Sequence, residues 1–121
     1  MLAIAAGGAV GALTRYGVFR GVQLWLGTGF PYGTLLINIS GSFFMGLLYV
    51  WLIERNMLNA EWRAALLVGL LGSFTTFSAF SIETLRLLES GEPVKATANV
   101  LLSIMLCLLG CWLGLILARQ L

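Results

Sequence analysis

The chain has 121 residues, of which 60% are apolar and only 10% charged, where an ordinary soluble domain has about a quarter charged; a water-soluble globular fold and a separate soluble catalytic domain are both excluded. A formal charge of +2, scattered along the chain, is too weak for a nucleic-acid partner. There is no histidine and no aspartate, and the only cysteines are Cys107 and Cys111, which rules out metal catalysis on His/Cys ligands.

A membrane-spanning helix needs about 20 mainly apolar residues. Four such spans, over about 2–26, 33–53, 64–88 and 95–118, use almost the whole chain. The expected fold is a single all-α, multi-pass transmembrane domain of four helices, 1–121. The first span is too long for a cleaved signal, and no positive charge precedes it. It carries Gly7 and Gly11, then Gly17 and Gly21, small residues four apart that let helices approach closely in lipid. Arg15 lies about a dozen residues in, where a charge is costly. It either snorkels to the interface or lines an aqueous vestibule that attracts anions.

A loop rich in Gly and Pro, residues 27–32, leads into the second span. That span contains Thr34, Asn38, Ser40 and Ser42; Thr34 and Asn38, four apart, share a helical face. The Asn38 amide has two readings, a hydrogen bond to a neighbouring helix or a donor to a permeating anion. Residues 54–63 form the most polar loop, with Trp51 and Trp62 suited to the membrane–water boundary. In the fourth span Asn99 and Ser103 share a face, and Gly110 and Gly114 repeat the small-residue spacing. Cys107 and Cys111 lie along one helix face, badly oriented for a mutual disulfide, and read as membrane-core packing.

The third span is the anomaly. Its middle, residues 72–81, reads Gly-Ser-Phe-Thr-Thr-Phe-Ser-Ala-Phe-Ser, and such polar interruption belongs where backbone lines a cavity or packs on protein. A break at Gly72–Thr76 is expected, with Gly72 supplying unusual backbone angles and unwound carbonyls able to coordinate a cation. Phe77 and Phe80, three apart, lie on one face, and their positive ring edges suit an anion. Thr75, Thr76, Ser78 and Ser81 interleave hydroxyl donors. The five glutamates are read at span ends or in loops, with Glu83 and Arg86 placed to pair at the third span's exit. A cation-coupled exporter of this size would need a mid-span carboxylate; an anion channel does not.

Orientation follows Lys/Arg excess on the cytoplasmic side. Arg55, Arg63 and Arg119 fall on the side of the termini and central loop, Arg20, Arg86 and Lys95 on the other, with Arg15 if it reaches that way. The near balance predicts dual topology and an antiparallel dimer.

Three blocks together, Gly7 to Tyr16, Gly33 to Phe43 and Gly72 to Ser81, resemble the small bacterial fluoride channels of the Fluc or CrcB family over nearly the whole length. The resemblance implies a passive fluoride-selective channel in the cytoplasmic (inner) membrane, not an enzyme, built as an antiparallel homodimer in lipid. It further implies a structural sodium ion (Na+) at the dimer centre, held by the main-chain carbonyls of Gly72 and Thr75. Phe77 and Phe80 would line the fluoride pore with Asn38, Ser103, Thr34, Ser78 and Ser81, and Arg15 would stand at the vestibule. A small dual-topology exporter of organic cations and a non-transporting assembly subunit are the alternatives.

Overall fold

A computed structural model describes residues 1–121. It has four helices long and apolar enough to cross a membrane, over Leu2–Leu26, Tyr32–Glu54, Ala60–Glu89 and Pro93–Gln120. The third is in two pieces, so five elements are named: α1 (Leu2–Leu26), α2 (Tyr32–Glu54, its last turn π-helical), α3 (residues 60–74), α4 (Phe77–Glu89) and α5 (Pro93–Gln120). Local chemistry sets several ends. The Asn59 side chain accepts from Trp62 N at 2.9 Å, which starts α3, and Pro93 opens α5, where its missing N–H costs nothing.

Both ends of the bundle are tied. Arg119 grips the Glu54 carboxylate with two nitrogens, at 2.7 and 3.2 Å, joining the C-terminal ends of α2 and α5. At the other end Lys95 reaches Gly29 O at 3.4 Å. The two loops 27–31 and 90–92 therefore share one side, opposite the central loop.

Helices close on each other where side chains vanish. On α1, a Cβ on Gly7 would run into Ala65 O, and one on Gly11 into Leu70 O and Ser73 Oγ. The Ser73 hydroxyl sits in that seam, 2.6 Å from Gly69 O of its own helix and 2.9 Å from Gly8 O of α1. Gly46 and Gly114 do the same between α2 and α5, meeting Cys111 O and Phe43 O respectively. Gly17 and Gly21, expected to serve the same purpose, have nothing within 4 Å.

Only 19 of 121 residues are buried within the chain, and Leu, Ile, Phe and Trp side chains cover the outside. That distribution fits a bundle whose exterior meets lipid or protein rather than water.

The break in the third span is shorter than expected. Gly72 is ordinary α-helix, with φ −62° and ψ −34°, so it does not supply the unusual backbone angles. Only Thr75 and Thr76 leave the helix, both in extended conformation. Their partners explain why. Thr76 caps α4, its Oγ1 accepting from Ala79 N at 3.2 Å, and a residue on α2 takes up the rest of its backbone.

Candidate functional site: two grooves divided by a helix break

Asn38 is that residue. Its Nδ2 donates to Thr76 O at 2.9 Å and its Oδ1 accepts from Thr76 N at 2.8 Å. One amide thus replaces both backbone partners that Thr76 gives up by leaving the helix. Unsatisfied backbone away from water costs several kcal/mol per group, so Asn38 is what lets the chain unwind here. Of the two readings of this residue, the interhelical bond is made; the second Nδ2 hydrogen remains for another acceptor.

The diverted amides have a second consequence. In a continuous helix Thr76 N would close onto Gly72 O and Ala79 N onto Thr75 O. Asn38 takes the first donor and the Thr76 side chain the second. The carbonyls of Gly72 and Thr75 lose their helical partners as a direct result.

Thr76 is buried and forms a wall between two grooves. One, of about 440 Å³, is lined by Asn38, Ser42 and Met45 of α2, Thr75 and Thr76 of the break, Phe77 and Phe80 of α4, and Ser103, Cys107 and Cys111 of α5. It contains no charged side chain. The Phe77 and Phe80 rings lie 5.2 Å apart, tilted by 42°, and Phe77 is 78% exposed on the single chain. The other groove, of about 480 Å³, is lined by Arg15, Tyr16, Thr34, Thr76, Ser78 and Glu83 among others.

The residues singled out in the sequence are thereby sorted. Asn38, Phe77, Phe80 and Ser103 come together in the first groove; Arg15, Thr34 and Ser78 stand in the second. Thr34 and Asn38 do not share a groove despite their spacing. Four residues advance an α-helix by about 40° beyond a full turn, enough here to put the Thr76 wall between them. Ser81 lines neither groove, its hydroxyl turning back to Phe77 O at 3.0 Å.

Glu83 departs most from expectation. It does not pair with Arg86; the ion pairs are Arg119–Glu54 and Lys95–Glu92. Instead its Oε1 accepts from the Thr34 hydroxyl at 2.8 Å, while its Oε2 is buried without a partner. Glu83 does lie in the outer part of the third span, as expected, but the pairing with Arg86 is not made. α4 continues the third span beside α2, and Thr34 of α2 is the hydroxyl that bonds Glu83.

Ser42, Met45, Cys107 and Cys111 are lining residues that the sequence reading placed in packing or left unassigned. Ser42 stands one turn beyond Asn38, and Cys107 one turn beyond Ser103, so the helical repeat was the available signal. Asn99, 2% exposed, donates to Thr84 Oγ1 at 2.9 Å, and Thr84 in turn donates to Phe80 O at 2.7 Å. This relay fastens the Phe80 turn to α5.

The profile of the CrcB-like protein family, Camphor Resistance (CrcB), matches residues 2–115. A fluoride-specific ion channel FluC of Methylococcus capsulatus is 59% identical over all 121 residues, though the chain spans about half of that protein, 53%. One from Coxiella burnetii is 48% identical, with 100% of this chain and 98% of the relative covered. One from Shewanella amazonensis is 55% identical over 94% of this chain and 91% of its own length. With its profile matched almost end to end and full-length relatives at such identity, the chain belongs to the CrcB family of four-helix membrane proteins.

Proposed function

We propose that this chain is a passive fluoride-selective channel that releases F− across the cytoplasmic membrane. The single observation that carries the reading is the uncharged groove at a helix break, where Asn38, Phe77, Phe80 and Ser103 converge; the relatives' name supplies the ion. Fluoride crosses membranes as its neutral acid and dissociates in a less acidic cell. An inside-negative potential of about 100 mV is worth about 2.3 kcal/mol per charge, so a selective path needs no other energy source.

The obstacle is dehydration of a small anion. A pathway must replace water in stages without trapping the ion. The spare Asn38 N–H and the hydroxyl of Ser103 offer hydrogen bonds, and the Phe77 and Phe80 ring edges offer weak positive potential. Arg15 and Ser78 place a positive charge and a hydroxyl on the other face of the Thr76 wall, where the Thr34 proton is taken by Glu83.

The pore is completed by a second, antiparallel copy. Three features support this: the near balance of Lys/Arg between the two sides, Phe77 left 78% exposed beside the break, and the apolar exterior. The carbonyls of Gly72 and Thr75, without helical partners, suit a hard cation that takes oxygen ligands, and would hold Na+ between two copies. When bound, such an ion supplies a fixed positive charge and a cross-link between the two breaks. Here the fit rests on main-chain oxygens alone, since no cluster of three or more His, Cys, Asp or Glu side chains exists.

Purified protein in proteoliposomes, followed with a fluoride electrode, tests the function. Rapid fluoride efflux with negligible chloride efflux is expected; equal rates for the two ions, or no flux, would sink the reading. Glu83 is the one observation on the side of a cation exporter, and electrogenic fluoride flux without any cation gradient separates the two.

Two further results are expected. Phe80→Ile keeps the bulk but removes the ring edge, and efflux should fall about tenfold, equivalent to about 1.4 kcal/mol at the barrier. Two arginines added to the central loop should fix one orientation and reduce fluoride resistance in cells. Full resistance with a demonstrably single orientation would argue against the antiparallel pair.

A further inference from the structure

The first groove holds a second kind of chemistry, which fluoride conduction does not use. Cys107 and Cys111 stand on successive turns of α5, both free thiols and half-buried. Both line the groove, and the thioether of Met45 on α2 lines it too. Three sulfurs from two helices therefore border one space of about 440 Å³ that contains no charged side chain. Ser42 of α2 lines the same groove across from Cys107 and Cys111.

We propose that Cys107 and Cys111, with Met45 alongside, form a soft-metal site that takes a two-coordinate thiophilic cation such as Hg(II) and closes the groove. Thiolate and thioether ligands select soft ions. Structural zinc wants four N/S ligands, and no cluster of three or more His, Cys, Asp or Glu exists to provide them. A linear ion needs only two thiolates, and residues four apart on a helix are surface neighbours. The step balances: with mercuric chloride, two S–H and two Hg–Cl bonds break, two S–Hg bonds form, and two protons and two chlorides leave to water. The product is electrically neutral, so it sits in a water-poor groove without the penalty of a buried charge. Occupying the space beside Phe80 and Ser103, it obstructs the path that an anion would take.

The blocking step rests on the channel reading; the binding step does not. The test uses the full chain in detergent with one equivalent of mercuric chloride. Intact mass should show one mercury gained and two protons lost per chain, with both thiols lost to a thiol titrant. In proteoliposomes the same treatment should lower initial fluoride efflux about tenfold or more, and excess dithiol should restore it. Cys107→Ser and Cys111→Ser, each compared with its own untreated rate, should lose that sensitivity and bind mercury through one thiol. Two mercury ions per chain on separate thiols would overturn the site. Full adduct formation with unchanged efflux would overturn the block. Absence of efflux before any treatment would sink the channel reading alone, and the mass and thiol measurements would still decide the metal site.

Discussion

Asn38→Asp is expected to cut fluoride efflux by about a hundredfold or more while the chain still folds and assembles. The aspartate keeps an oxygen to accept from Thr76 N but loses the donor to Thr76 O, and leaving that carbonyl unmet costs about 1–3 kcal/mol. It also puts a negative charge into a groove that has none. Against an anion about 5 Å away, that repulsion is about 3 kcal/mol at an effective dielectric of about 20. Asn38→Ala separates the two contributions, because it removes the bracket without adding charge. An aspartate variant much slower than the alanine variant shows that the ion passes this residue. Equal rates would mean that Asn38 acts only by holding the break. Normal efflux in both would remove Asn38 from the path altogether.

The second large effect is expected on stability. Gly46 packs its backbone against Cys111 of α5, and Gly114 packs against Phe43 of α2. A side chain at either point meets main chain, which no rotamer change can move. Gly46→Val should therefore force α2 and α5 apart at a cost of about 3 kcal/mol or more, at or above the usual range for overpacking. The measurement is the fraction of monodisperse protein in detergent after a heating series, where the midpoint should drop sharply. Gly17→Ala is the control: with nothing within 4 Å, it should leave the chain's own packing untouched and, through helix propensity, raise stability by about 1 kcal/mol or less. If the two variants melt alike, the glycine seam is not what sets the spacing of α2 and α5.

Both predictions depend on the same geometry. The Gly46–Gly114 seam brings α2 and α5 close enough for Asn38 and Ser103 to face one groove, and Asn38 then dictates where α3 ends and α4 begins. Stability and conduction are thus linked through one pair of helices. The Asn99–Thr84–Phe80 relay adds a third tie, from α5 to the aromatic turn.

Composition and helical period are enough to establish part of this architecture. Runs of about 20 apolar residues can only be spans in such a chain, Gly7 and Gly11 mark a close helix contact, and a polar decapeptide inside a span marks a break. Phe77 and Phe80 share a face because three residues on a helix always do. Features that depend on a distant partner emerge only when the helices pack. Gly72 looked like the flexible point, yet the unwinding belongs to Thr75 and Thr76, because Asn38, on another helix, supplies the two hydrogen bonds that make it possible there. Thr34 and Asn38 looked like one face, yet Thr76 stands between them. Glu83 looked like a span-end charge paired with Arg86, yet α4 carries it to the Thr34 hydroxyl. Helical period reports which residues share a side of one helix; which groove that side enters depends on the neighbouring helices.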